Sequence, residues 1–126
     1  MGDWFTVEQI DADTFAISEY GHWEQTHAYL LSGSRGALLI DTGLGVADIG
    51  AVVRALSPLP VLVATTHVHW DHIGGHAHFS DIAVFKQEAS WLSGAFPLPP
   101  AVVRQNLLRV PCAFPPRFDP NAYAVY

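Results

Sequence analysis

Positive charge is scarce in this chain. Six Lys and Arg residues stand against twelve Asp and Glu, for a formal net charge of −6. No two basic residues are adjacent. A nucleic-acid footprint needs a basic patch and a polybasic membrane anchor needs a basic run, so both are excluded. Cysteine is nearly absent. Cys112 stands alone, so no intrachain disulfide can form, which fits a reducing compartment. No apolar run approaches the ~20 residues of a membrane-spanning helix. The opening MGDWFTVEQIDADTF has neither a basic start nor an apolar stretch, so no secretory signal is read there. These absences predict a soluble, cytoplasmic protein. Histidine is missing after His78, and the only later acidic residues are Asp81, Glu88 and Asp119.

What is present is globular. Half of the 126 residues are apolar, enough for one modest domain covering residues 1–126. Residues Thr14 to Tyr20 alternate as a strand, with Phe15, Ile17 and Glu19 on one face. His27–Gly33 and Gly36–Gly43 are apolar runs joined by SGSRG, which predicts a hairpin. The intervening GHWEQT reads as an exposed loop. From Val46 to Ser57, Val46, Ile49, Val53 and Leu56 recur at helical spacing, and Pro58 and Pro60 stop the helix. Val61–His67 follows as a short β-branched strand. Strand, helix and strand in that order predict a βαβ unit, hence an α/β fold with a mixed β-sheet and helices on one face. Asp81–Lys86 reads as a further strand, a helix starts near Gln87, and Pro99–Val110 reads as another helix with Pro in its first turn. Seven of nine prolines fall between Pro97 and Pro120, making 95–126 a Pro-rich helix and loop segment.

Five of the seven histidines crowd into ATTHVHWDHIGGHAHF, Ala64 to Phe79. In extended backbone, residues two apart point the same way, so His67 and His69 can aim at one ion. A turn at Trp70 would carry Asp71 and His72 to a second position a few Å away. Imidazole and carboxylate donors suit Zn²⁺, and Fe or Mn accept the same set. Gly74 and Gly75 let the chain turn tightly and start a helix. His76 and His78 read as bystanders to the metal. His22 is either loop filler or a group overhanging the site, and His27 reads as a strand residue. The competing reading is a plain α/β binding domain whose histidines are incidental.

THVHWDHIGG, preceded by LLIDTGLG, closely resembles the metallo-β-lactamase-fold hydrolases, and the likeness extends over nearly the whole chain. It implies half of an αββα sandwich, the N-terminal half. It implies His67 and His69 at a first metal site, Asp71 and His72 at a second, and two Zn²⁺ in a complete centre. Asp41 would match the acidic residue that supports the ligand loop from beneath; its alternative is a simple strand-end cap. The implied activity is metal-dependent hydrolysis of a small ester-, thioester- or lactone-like substrate, by attack of a metal-bound hydroxide that Asp71 orients. His72 directly after Asp71 fits thioesterases, lactonases and one β-lactamase subclass.

The resemblance also implies what is missing. The family draws a third His, a bridging Asp and a further His from its other half, and none can be matched in this sequence. Three alternatives stay open. The sequence is a fragment of a longer protein; or two copies form a homodimer that covers the exposed sheet face and completes the site; or the chain is a half-size metal-binding module without catalytic activity of its own.

Overall fold

The computed structural model describes residues 4–94 and 96–124. Residues 1–3 of the opening segment, and 95, 125 and 126 of the Pro-rich segment, lie outside them. One six-stranded sheet carries the fold, its strands adjacent in the order in which they occur. They are β1 (Thr6–Asp11), β2 (Thr14–Ser18), β3 (His27–Ser32), β4 (Ala37–Ile40), β5 (Val61–Ala64) and β6 (Ile82–Ala83). The first four pair antiparallel, and β4–β5 and β5–β6 pair parallel. Helix α1 (Ile49–Leu56) makes the crossover between β4 and β5. Two further helices follow, α2 (Ala89–Leu92) and α3 (Pro100–Leu107).

Register explains the core. Phe15 pairs with Leu30, Leu30 with Leu39, Leu39 with Val63, and Val63 with Ile82. One apolar row therefore crosses five strands on a single face. Ile49, Val52 and Val53 of α1 share a buried cluster with it. Each fully buried Leu there contributes roughly 2–3 kcal/mol. The carboxylate of Asp48 caps α1 by accepting the Ala51 N–H at 3.1 Å, and Ser57 ends the helix before Pro58. The helix expected from Val46 therefore starts three residues later, at Ile49, because the Asp48 cap fixes where the first turn begins.

The opposite face is bare. Leu31 pairs with Leu38 and Leu38 with Leu62, with Tyr29 and Ile40 in the row beside them. Tyr29, Leu31 and Leu62 remain 36%, 37% and 45% exposed. A mixed sheet with one such face is half of a two-layer sandwich.

A second core lies outside the sheet cluster. Leu44, Val46, Val68, Trp70, Ile73, Val103, Leu107 and Tyr123 are buried together. Val103 and Leu107, four apart, are the face α3 brings to it. The Tyr123 hydroxyl donates to the Leu44 carbonyl, fastening the Pro-rich segment to the loop after β4.

Several expectations need correction. Strand β1 was not predicted: all six of its residues are exposed, so it shows no apolar alternation and owes its place to pairing with β2. The strand expected over Asp81–Lys86 pairs only at Ile82 and Ala83. The helix expected after Gly74 and Gly75 is a single 3-10 turn, His76–His78. GHWEQT is not an exposed loop, since His22 and Thr26 are buried.

Candidate metal centre

The candidate ligand loop grows from the ends of the parallel strands β4 and β5. Asp41 follows β4 in the left-handed region, at φ 64°, which Asp tolerates better than most residues. Its backbone N–H still donates to the Ala64 carbonyl of β5 at 2.9 Å. The side chain therefore turns toward the segment that leaves β5. There Oδ1 accepts the Thr66 N–H at 2.8 Å, and Oδ2 accepts the Thr66 hydroxyl at 2.7 Å and His72 Nδ1 at 3.0 Å. Burial pushes the Asp41 carboxyl up, but these donors outweigh it and hold the group below the usual carboxylate range.

Alternation then sorts the loop. Val68 and Trp70 point into the second core, so His67 and His69 point away from it. The chain turns where the His72 N–H meets the His69 carbonyl at 3.0 Å. The ring centroids of His67 and His69 lie 4.4 Å apart, and those of His67 and His72 lie 4.5 Å apart. Thr66 fixes the tautomer of His67. Its hydroxyl hydrogen goes to Asp41, so its oxygen accepts from His67 Nδ1 at 2.9 Å. Asp41 likewise holds His72 by Nδ1. In both rings Nε2 is left as the available donor atom, the arrangement by which a carboxylate orients a metal-binding imidazole.

The spacing of one pair of these side chains suits a divalent ion. His72 Nε2 lies 3.6 Å from Asp71 Oδ2. Two tetrahedral donors at ~2.1 Å from one Zn²⁺ stand ~3.4 Å apart. Burial lowers the His67 pKa, reinforced by His72 and His69, which favours the neutral ring. Burial opposes charge on His72, but Asp41, Asp71 and Glu24 outweigh it and raise its pKa. Among the described residues, no three His, Cys, Asp or Glu side chains converge on a single ion position.

Glu24, which sequence reading passed over, belongs to this site. Burial and the neighbouring Asp71 carboxylate, within hydrogen-bonding reach, push its pKa up. No local pattern in GHWEQT marks it. Its position comes from a turn tied down at long range. His22, fully buried, donates from Nε2 to the Leu107 carbonyl at 2.8 Å and accepts the Glu24 N–H on Nδ1 at 3.1 Å. Trp23 donates to the Asn106 carbonyl at 2.9 Å. His22 is thus a tie to α3. Glu19 braces the site from below: its buried carboxylate accepts Trp4 Nε1 at 2.8 Å, the Thr26 hydroxyl at 3.0 Å and the Leu44 N–H at 2.9 Å.

The remaining histidines face elsewhere. His27 meets the Ser18 hydroxyl on the sheet, and the exposed His78 faces Asp48 at 3.4 Å. His76 is buried between Thr42, at 2.7 Å, and Thr65, at 2.9 Å. Burial lowers its pKa from 6.5 to about 4. Below pH 6.5 the unfolded chain takes up a proton that the folded ring refuses until about pH 4. Stability therefore falls as pH drops through that window. Urea midpoints should correspond to a loss of about 1–3 kcal/mol between neutral pH and about pH 4. His76→Gln should flatten that part of the profile; an unchanged profile would remove His76 as its cause.

The profile of the metallo-beta-lactamase superfamily matches residues 21–122. The acyl-coenzyme A thioesterase MBLAC2 of Gallus gallus is 35% identical over 101 residues, covering 71% of this chain and 36% of that protein. The protein of the same name from Homo sapiens is 30% identical over 105 residues, covering 72% and 38%. Among solved structures, a metallo-beta-lactamase from Pontibacter korlensis superposes with a TM-score of 0.55 at 20% identity, covering 72% of this chain and 48% of that one. A metallo beta lactamase from Erythrobacter litoralis gives 0.50 at 20% identity, covering 94% and 53%. Both structural likenesses speak to fold. The chain spans little more than a third of the curated relatives and about half of the solved ones. It belongs to the metallo-beta-lactamase superfamily.

Proposed function

We propose that this chain carries the metal-binding half of a hydrolase acting on a thioester-, ester- or lactone-like small molecule. A thioester is favoured, since the curated relatives are named acyl-coenzyme A thioesterases. The observation that carries the reading is the Asp41 carboxylate, which orients His72 directly and His67 through Thr66. Such a device suits a two-ion centre faced by both Nε2 atoms. In this reading His67 and His69 serve one ion, and Asp71 and His72 a second. Zn²⁺ suits the donor set best, with Fe or Mn accommodated by the same atoms. A bound ion would supply Lewis-acid polarisation of the substrate carbonyl and activation of water near neutral pH. Asp71 orients the attacking water, Asp41 keeps the imidazoles in their donor tautomers, and the wall formed by Trp70 and Val68 shields the loop from beneath.

The bare sheet face and the paired, unconverged donors favour a second reading beside it, in which the chain needs a complement to act. A second copy packing sheet against sheet would bury Tyr29, Leu31 and Leu62 and bring two ligand loops together. A clean monomer by light scattering across the micromolar range would rule out that homodimer.

The direct test is elemental analysis of protein purified without a metal-affinity tag, followed by Zn²⁺ titration. Uptake should occur, and His72→Ala should lose most of it. Negligible metal as purified and no uptake on titration would sink the proposal. Uptake without turnover of acyl thioesters, esters or lactones would instead assign the chain as a binding module.

A further inference from the structure

A cleft of about 720 Å³ is lined by none of the candidate ligand residues. Its walls are Trp4, Phe5, Phe114 and Pro115, facing Ala47 and Ala51 at the start of α1. That volume lies within the ~300–1,000 Å³ usual for small-molecule sites. Its lining is more apolar than polar. Trp4 contributes only its ring, because its indole N–H is given to Glu19. The lining holds two charged groups, Asp48 and Arg117. Asp48 is satisfied within the protein by the Ala51 N–H, by Arg54 at 3.6 Å and by His78 at 3.4 Å. Among the described residues, nothing engages the guanidinium of Arg117. An apolar trough with one unengaged positive charge complements a molecule with an apolar tail and an anionic head. It lacks the convergent donors and acceptors that would recognise a peptide or a base.

Topology sets the cleft at the sheet end that bears the metal loop. Thr6 at the start of β1 pairs with Ser18 at the end of β2, so Trp4 and Phe5 lie at that end. Helix α1 begins just after the loop that leaves β4 there. A line of rings joins the two places: Trp4 to Phe114 at 5.7 Å, Phe114 to His22 at 6.3 Å, and His22 to Trp70 at 6.1 Å, next to Asp71.

We infer that this cleft binds an unbranched acyl chain, with Arg117 holding an anionic head group. The inference goes beyond the hydrolase reading and stands apart from it: the ligand is a fatty carboxylate whose head meets Arg117 and not the metal loop. The walls combine flat rings with methyl-sized side chains, which suits a flexible methylene chain.

The test uses the metal-free full chain, so that it stands apart from turnover. Octanoate, decanoate and dodecanoate are titrated calorimetrically below their micellar concentrations. Affinity should rise about threefold to fourfold per added methylene, as burial of each CH₂ requires. Ala51→Phe, which fills the trough, should weaken dodecanoate at least tenfold. Arg117→Gln, an exposed change that spares the fold, should weaken the carboxylates severalfold and leave the alcohols of equal length untouched. No saturable binding, affinity independent of chain length, or wild-type binding by Ala51→Phe at an unchanged unfolding midpoint would each overturn the inference. Wild-type carboxylate binding by Arg117→Gln would overturn the role of the head group. Dodecanoate binding in a protein that takes up no metal would sink the hydrolase reading and leave the cleft standing; metal uptake and thioester turnover without fatty-acid binding would do the reverse.

Discussion

Gly74→Ala should cost the protein the order of its ligand loop. A Cβ on Gly74 would overlap the carbonyl of Leu44 and the amide nitrogen of Gly45, all backbone atoms. No rotamer change relieves a backbone clash. The strands of chain also cannot simply part, because the Gly74 N–H donates to the Gly43 carbonyl at 2.8 Å and the Thr42 N–H to the His72 carbonyl at 3.0 Å. These bonds register the loop after β4 against the loop after β5. Separating them by about the width of a methyl group moves His72, two residues away, relative to Asp41. We expect a loss of about 3 kcal/mol or more in urea unfolding, at the upper end of what overpacking costs. Zinc uptake should fall with it. A midpoint within experimental scatter of the wild type would mean that the two loops are not in contact in solution.

Asp41→Asn should separate metal binding from folding. Asn occupies the left-handed region as readily as Asp, so the backbone at φ 64° is preserved. The side chain is what changes. Asp41 is acceptor-only and takes three donors, the Thr66 N–H, the Thr66 hydroxyl and His72 Nδ1. An amide offers one oxygen and one NH₂, so in either orientation an N–H faces a donor. If the NH₂ meets His72, the ring flips its tautomer and presents a proton where it should present a lone pair. Zinc affinity should fall about 10- to 100-fold by competition titration, the usual loss when such a carboxylate is removed. Stability should fall by only about 1–3 kcal/mol. A twofold change or less in zinc affinity would show that the imidazoles are oriented by something other than Asp41.

Legibility in the sequence followed the range of the interactions involved. The apolar row through Leu30, Leu39 and Val63 could be read because each strand alternates on its own. The clustering of His67, His69 and His72 could be read because they lie within six residues of one another. Strand β1 could not, since an edge strand with every residue exposed has no periodic signature. Glu24 and His22 could not either. Their neighbours, Asp71 and Leu107, are distant in the chain, and only the fold of α3 against the loop brings them together. His76 illustrates the middle case: its place in the cluster was visible, whereas its enclosure by Thr42 and Thr65 required knowing that β4 and β5 are neighbours.

The separation of the two cores has an optical consequence. The chain has four tryptophans. Trp70 is buried in the cluster behind the ligand loop, and Trp4, Trp23 and Trp91 pack against it. None is among the residues that make up or pack against the sheet cluster beneath α1. Indole emission is therefore a reporter of the site's support alone, whereas far-ultraviolet dichroism reads the sheet and helices together. Denaturation followed by the two signals should coincide only if both cores melt as one cooperative unit. A fluorescence transition at lower urea would show the floor of the metal loop loosening while the sheet stays folded.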